Sequence, residues 1–381
     1  MTGARLLQIT DKGPRDGGVG RVVSLQAAAL SARGWTVTRL RLLRPGSHAG
    51  GPADPAETLA PVTVAPRLAP DAPVMAALER AAAGAALIHL HLGFASLSPE
   101  LIRRAAALAP LAVSLHDVSP FLPPRGEGLA ARLRRRWLAP VRAAVWSEIC
   151  ASAACLIAPS RFLAGLAAEA GFPPGRIALL PLPVEAPGLA PVPASACPPL
   201  LVYAGLLDRE KGAVLAVEVM ARLRAPAARL LLLGDGPARE ALRARAAALP
   251  PGRVRLAGRQ PPSEVARQMA GARAVLFPSR VPEGLGLSGL EALALARPVI
   301  GYPAGGAADW LRDGETGLVP GGWSPQALAT AIDRLLDDPA LADRLGRAGQ
   351  ALVAANHDPG VAAEALQTLF QSLIGPHRRV A

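Results

Sequence analysis

Short apolar runs alternate along the chain with longer stretches in which apolar residues recur every three or four positions. RLLQIT, Arg5 to Thr10, reads as a buried strand, and a glycine turn and an Ala/Leu-rich helix to about Arg33 follow it. TVTRLRL, ALIHLHL, LAVSLH, CLIAPS and RIALLPL continue the series, with helical stretches between them. Nearly continuous apolar strands separated by helices are the pattern of a parallel sheet with crossover helices. The alternation restarts with LLVYAG, RLLLLGDG, RVRLAG, AVLFPS and RPVIGY. The fold class expected is α/β, with two Rossmann-like, doubly wound parallel-sheet domains facing a cleft. Between the two series lies PVEAPGLAPVPASACPP, Pro183 to Pro199, whose prolines can continue neither a helix nor a central strand. The division expected is 1–185 for the first domain, 186–199 for a linker and 200–358 for the second. A last helical pattern, Gly360 to Ile374 within 359–381, is expected to pack back on the first domain. The Gly/Pro/Ala-rich stretch Arg44 to Pro61 reads as a long mobile loop.

A length of 381 residues suits two cores better than one. Three cysteines (Cys150, Cys155, Cys197) give no disulfide framework and no paired metal spacing, which suits a reducing compartment. The start of the chain lacks the apolar core of a signal peptide, and no uncharged apolar run reaches membrane-spanning length. The expectation is a cytoplasmic protein. The net charge of +12, nearly all from arginine, favours anionic partners. The densest cluster has Arg132, Arg134, Arg135, Arg136 and Arg142 with Trp137 and Trp146. Such a helix suits either a solvated face or peripheral contact with an anionic membrane, which would put the protein at the inner membrane face. Aromatic interleaving is sparse and there is no nucleic-acid-binding motif, so no nucleic acid is expected.

Candidate chemistry lies where the strands end, which is where open α/β sheets bind ligands. Gly17, Gly18 and Gly20 follow the first strand and would let backbone N–H groups approach an anion. A nicotinamide site is disfavoured, because the second strand ends in TRLRLLRPG with no acid for a ribose. In the second series, Arg209 and Lys211 precede a helix start, where an intervening anion such as a diphosphate would reconcile them with the helix dipole. After AVLFPS comes EGLGLSGLE, with Glu283 and Glu291 eight residues apart around a glycine-rich turn. Ser288 and Glu291 also match the spacing of a helix capping box. Capping does not explain Glu283, Gly284 or Gly286. A loop acid beside bare glycine backbone suits a polyhydroxylated ligand carrying phosphate.

These segments, taken in order, resemble the retaining family-four glycosyltransferases of the GT-B fold. The resemblance runs through DGGVGR, LIHLHLG, AVSLHD, CLIAPSRFLAGLAAEAGFPPG, AGLLDREKG, LLGDGPARE and EGLGLSGLEALALARPVIGYPAGG, nearly the whole chain. It implies a nucleotide-diphosphate sugar as donor and a carbohydrate or lipid-linked acceptor, with no cofactor or metal required. The six histidines and three cysteines form no ligand set by spacing. Carried over residue by residue, Lys211, with Arg209 nearby, contacts the diphosphate, Glu283 the transferred sugar and Glu291 the nucleotide ribose. Backbone at Gly286, Leu287 and Ser288 lies at the phosphates, Gly17, Gly18 and Gly20 face donor and acceptor, and His116 lies near the reaction centre.

The chain departs from the family pattern at several places. Leu206 stands where an arginine is usual, Leu285 where an aromatic is usual, and Leu182-Pro183 replaces Asn-Gly. Asp309 replaces a glutamate after Gly305-Gly306. Two alternatives therefore accompany hexosyl transfer with retention: a non-catalytic or degenerate nucleotide-sugar binder, and a nucleotide-sugar epimerase of the same architecture. His89 and His91 are assigned to opposite faces of their strand, as core or strand-end residues.

Overall fold

The computed structural model describes residues 3–13, 17–43, 57–61, 72–91, 97–122, 129–185, 188–189 and 192–375, without the side chains of 61, 129–135 and 137. The chain divides into two compact units, Met1–Pro183 with Pro359–Ala381, and Val184–Asp358.

Among the described residues the first unit holds a seven-stranded parallel sheet in the order β3-β2-β1-β4-β5-β6-β7. The strands are β1 Arg5–Thr10, β2 Thr36–Leu43, β3 Glu57–Pro61, β4 Leu87–His91, β5 Leu111–Ser114, β6 Cys155–Ala158 and β7 Ile177–Leu179. The crossover helices are α1 Gly17–Ser31, α2 Ala72–Ala82, α3 Pro99–Leu108, α4 Leu129–Ser152 and α5 Arg161–Glu169. The central strands are buried on both faces, as a parallel sheet sandwiched between helices requires. One face is wholly apolar, with Leu7, Ile9, Ile88, Leu90 and Val113. The other is covered by α1 and by the last helix, Pro359–Ile374, whose Phe370 packs edge-on against Trp35 at 5.9 Å.

The second unit repeats the plan with six parallel strands in the order β10-β9-β8-β11-β12-β13. They are β8 Leu200–Ala204, β9 Arg229–Leu233, β10 Val254–Gly258, β11 Ala274–Phe277, β12 Val299–Gly301 and β13 Gly317–Leu318. Its helices are α6 Ala213–Glu218, α7 Arg239–Ala247, α8 Pro262–Ala270, α9 Leu287–Ala294, α10 Pro325–Asp337 and α11 Pro339–Asn356, so the last helix of the chain is α12. In each sheet the strand order reverses once, between β1 and β4 and between β8 and β11. Such reversals open a crevice at the carboxyl ends of the two strands. Among the described residues no helix is long and apolar enough to cross a membrane.

Two expectations are corrected. Of the stretch read as a loop, Arg44 to Pro61, residues 44–56 lie outside the described residues, but Glu57–Pro61 is β3, paired in register with Arg39 to Leu43. An edge strand tolerates the terminal proline that argued against it. Its Glu57 forms a buried ion pair with Arg41 at 3.3 Å. The proline-rich segment is not a free linker throughout. Residues 192–199 are tied to the second unit: Ser195 donates from its backbone N–H and its hydroxyl to Asp343, at 2.8 and 2.7 Å. The fully buried Arg297 donates to Val192 O and to Cys197 Sγ. Prolines prevent a strand ladder here, and side-chain donors satisfy the carbonyls that a ladder would have used.

Candidate active site

In the second unit, Lys211 and Glu283 meet although 72 residues separate them. The Lys211 ammonium donates to both carboxylate oxygens of Glu283, at 2.7 and 2.6 Å. Both lie at the β8/β11 reversal. Lys211 sits in the turn between β8 and α6, and Glu283 in the loop between β11 and α9. Two backbone devices bring these loops together. Gly212 is left-handed (φ +80°), and a Cβ there would lie 2.0 Å from Pro278 O, so only glycine lets the two segments close. Arg280 N–H then donates to Glu210 O at 2.9 Å. Glu283 is held from the other side as well. Its N–H donates to Ala304 O at 3.1 Å and its carbonyl accepts from Gly306 N–H at 2.8 Å. The side chains are only partly screened from water, with 29% of Lys211 and 12% of Glu283 exposed. A ligand can therefore reach them.

Tyr203, at the carboxyl end of β8, supports the same turn. Its hydroxyl donates to Leu206 O at 2.7 Å and lies 3.4 Å from Lys211 O. Burial, with the charges of Glu283 and Asp208 behind it, raises its pKa well above the ordinary phenol value, so it stays neutral. The start of α9 is shaped by a buried tryptophan. Trp310 donates from Nε1 to Leu285 O at 2.6 Å, and its ring meets Phe277 edge-on at 5.3 Å. Gly286, left-handed at φ +86°, occupies the N-cap with no side-chain cap bond. Ser288 is thus inside the helix, and the capping-box reading of Ser288 and Glu291 does not apply. The structure brings Gly286, Leu287 and Ser288 into the first turn that follows Glu283, with Glu291 one turn further on. Arg209, two residues before Lys211, is exposed. Leu206 is exposed as well, at 52%.

In the first unit, Gly17, Gly18 and Gly20 lie within the first turn of α1, rather than in a loop ahead of it. His116 follows β5 at the same sheet edge, and its environment holds two further histidines. His91 Nδ1 lies 3.0 Å from His116 Nε2, and the rings stack at 5.2 Å between centroids. His89 and His91 have ring centroids 4.0 Å apart, so they share a face. The opposite-face assignment is corrected: strand side chains repeat every two residues, so positions 89 and 91 project together. Burial lowers His89 to about 3, with the nearby His116 adding to the effect. Burial lowers His116 to about 4, against the pull of Asp117 and Asp11. Among the described residues no three His, Cys, Asp or Glu side chains are grouped to hold a metal ion.

These shifts give a pH expectation. Above the ordinary histidine value of 6.5 both folded and unfolded chains keep the rings neutral. Below it the unfolded chain takes up protons that the folded rings refuse, so stability falls as pH falls, until the folded values are reached. Each such ring costs about 1.4 kcal/mol per pH unit in that window. Urea unfolding of the wild type between pH 7.5 and 5.5 should show this slope, and His89→Phe should flatten it. Parallel curves for the two proteins would contradict the assignment.

Two members of the basic cluster on α4, Arg142 and Trp146, are engaged within the first unit. Arg142 donates inward to Ser119 O and Leu122 O. Trp146 donates to Ala170 O at 2.8 Å and packs on Phe121, so it belongs to the core and not to a membrane face. Arg136 is exposed, while the side chains of Arg132, Arg134, Arg135 and Trp137 lie outside the described residues.

Comparison with known proteins agrees with this architecture. The glycosyl transferase 4-like domain matches residues 17–183, and the model for glycosyl transferases group 1 matches residues 191–352. The chain belongs to the family-four, group 1 type of glycosyltransferases. It is 30% identical over 178 residues to alpha-D-kanosaminyltransferase of Streptomyces kanamyceticus, covering 46% of each chain. It is 33% identical over 161 residues to the GDP-mannose-dependent alpha-(1-6)-phosphatidylinositol monomannoside mannosyltransferase of Mycolicibacterium smegmatis, covering 40% of this chain and 42% of that one. The chain thus spans less than half the length of these curated relatives. Its fold is that of Anabaena HepE, solved in complex with UDP-glucose, with a TM-score of 0.74 at 18% identity over 97% of this chain and 100% of that one. Sucrose-phosphate synthase from Thermosynechococcus elongatus gives 0.74 at 22% identity, over 97% and 99%.

Two contributors were missed by sequence reasoning: Tyr203 and Trp310. Tyr203 had a signal, being the one hydroxyl-bearing residue in the apolar strand LLVYA. Trp310 had none, because its pairing with Leu285 O depends on the return of a distant loop. His91 was seen, but assigned to the wrong face.

Proposed function

We propose that the chain transfers a hexosyl group from a nucleoside-diphosphate sugar to a carbohydrate or lipid-linked acceptor, with retention at the anomeric carbon. The observation that carries this reading is the Lys211–Glu283 pair at the strand-order reversal, next to the left-handed glycine that opens α9. The bond from the anomeric carbon to the diphosphate breaks with its electron pair leaving on the phosphate, and an acceptor hydroxyl oxygen bonds to that carbon as its proton passes to an oxygen of the departing diphosphate. Charge therefore develops on the diphosphate. Lys211, Arg209 and the N–H groups of Gly286, Leu287 and Ser288 are the groups that would stabilise it. Glu283 would accept hydrogen bonds from sugar hydroxyls, Glu291 from the ribose, and His116 would meet the sugar. Gly17, Gly18 and Gly20 would offer backbone N–H groups toward donor and acceptor. Without donor, Lys211 and Glu283 neutralise each other. A diphosphate competes for the ammonium and releases the carboxylate for the sugar.

The test is thermal-shift binding with UDP, GDP, ADP and their common sugar conjugates, wild type against Lys211→Ala. One conjugate should stabilise the wild type and not the variant. An unshifted wild type with every conjugate would remove the donor site. A second reading, a nucleotide-sugar binder without turnover, is favoured by Leu206, an exposed apolar side chain where the family pattern has arginine. Stabilisation by a donor that is never consumed would select it, and an acceptor-independent change in the donor sugar would select the epimerase. Peripheral membrane contact through α4 rests on Arg136 and the Arg132 to Trp137 turn. Sedimentation with anionic vesicles at low salt, lost at high salt, is the expected outcome.

A further inference from the structure

An aromatic pair stands at the carboxyl end of the second sheet, beside the Lys211–Glu283 site and not part of it. Tyr302 directly follows β12, and Trp323 lies in the loop between β13 and α10. Their rings stack at 3.9 Å between centroids, with 23° between the planes. Tyr302 is 2% exposed and belongs to the core, whereas Trp323 is 50% exposed. The pair therefore has an inner ring among apolar side chains and an outer ring in water. One face of the indole is covered by the phenol and the other is open.

A singly exposed apolar side chain needs no explanation by itself. Trp323 differs in being fixed and flat, and it is the one aromatic left exposed among the described side chains. The Tyr302 hydroxyl donates to Gly322 O at 2.8 Å, next to the tryptophan. On its other side Ser324 caps α10, accepting from Ala327 N–H at 3.1 Å. Val319 N–H donates to Asp313 Oδ1 at 2.9 Å and ties down the start of the loop. The indole is thus held before any ligand arrives, so binding has little further ordering to do.

The pair adjoins the candidate site through the backbone. Ala304 donates to Tyr302 O at 2.8 Å and accepts from Glu283 N–H at 3.1 Å. Arg280, whose N–H donates to Glu210 O, lies near enough for its charge to oppose the upward pull of burial on the Tyr302 phenol. The groups assigned to the donor are Lys211, Glu283 and Glu291, on the turns and helices next to β8 and β11. The aromatic pair lies outside them, on the β12–β13 side. A pyranose ring is matched to such a surface. Its C–H face is apolar and slightly positive, so it stacks on the negative face of an indole while its hydroxyls stay in water.

We propose that the open face of Trp323 is a subsite for a pyranose ring of the acceptor, seated by stacking and held in place by Tyr302. Its assignment to the acceptor rests on the transferase reading above; its affinity for a sugar ring does not.

The experiment is saturation-transfer NMR on the full-length chain, with UDP or GDP present and with neither. The probes are the methyl glycosides of glucose, galactose, mannose and N-acetylglucosamine, in both anomers. Wild type should saturate the ring C–H protons of at least one glycoside. Trp323→Phe should keep that signal and Trp323→Leu should lose it. Leucine still covers Tyr302, so its loss separates a ligand contact from a packing role. No saturation in wild type, or a signal that survives in Trp323→Leu, overturns the proposal. A second arm asks which sugar is seated. Thermal stabilisation by the donor conjugate should be equal in wild type and Trp323→Leu, while KM for the acceptor rises about tenfold with little change in kcat, the upper end for one aromatic contact. Loss of donor stabilisation in Trp323→Leu would give the platform to the donor sugar and overturn the acceptor assignment. If no donor conjugate stabilises the wild type while a glycoside still saturates through Trp323, the transferase reading fails and the sugar subsite stands.

Discussion

Lys211→Ala should lower kcat/KM for the nucleotide-sugar donor by about 100- to 1,000-fold, the loss found when one preorganised stabiliser of developing charge is removed. The variant loses twice in the same direction. The ammonium that would meet the departing diphosphate is gone, and Glu283, which it neutralises at 2.6 and 2.7 Å, is left with an uncompensated carboxylate facing an anionic ligand. Glu283→Gln separates these effects. It keeps an oxygen acceptor for sugar hydroxyls and removes the repulsion, so its donor binding should survive better than its turnover. Initial rates across donor concentration distinguish the two, because lost ground-state binding raises KM and lost transition-state stabilisation lowers kcat. If both Lys211→Ala and Glu283→Ala kept wild-type rates, the site would lie elsewhere.

Trp310→Ala should destabilise the second unit by about 3–5 kcal/mol, as removal of a fully buried indole usually does. Trp310 is 1% exposed. Its ring fills the space over Gly289, where a Cβ would come within 2.0 Å of Cη2, and its N–H is the partner of Leu285 O. Alanine would leave a cavity and an orphaned buried carbonyl just ahead of Gly286. Denaturant unfolding should show the loss. Donor binding should fall even at temperatures where the variant is folded, because the indole holds the turn that α9 starts from. Unchanged stability would mean that the site collapses around the smaller residue at no cost.

The pattern of apolar runs was enough to read two parallel α/β units, because strands buried on both faces announce themselves as continuous runs such as LLVYA and AVLF. The edge strand β3 escaped, since ETLAP is short, half polar and ends in proline. Lys211 and Glu283 were legible because polar residues beside glycines at strand ends have few structural uses. What brings them together was not legible. The contact of Gly212 with Pro278 O and the return of Ala304 to Glu283 N–H are long-range backbone facts without a local signature. The prolines of 183–199 correctly forbade regular structure, yet Arg297, Arg273 and Asp343 recruit that segment into the second unit from far along the chain. The histidine row shows another limit. Two histidines two residues apart share a face by strand geometry alone, but the arrival of His116 and Phe370 needs the tertiary fold.

The first unit is interrupted in the chain: it stops at Pro183 and resumes only at Pro359. On the ribosome, Leu6, Trp35, Leu87 and His89 are made early, but Leu366 and Phe370, which cover them, arrive with the last helix. The second unit is continuous and can close while the first still has an apolar face open to water. Order of synthesis and order of completion are therefore opposite. The interval between them is when this protein is most exposed to aggregation and most in need of a chaperone.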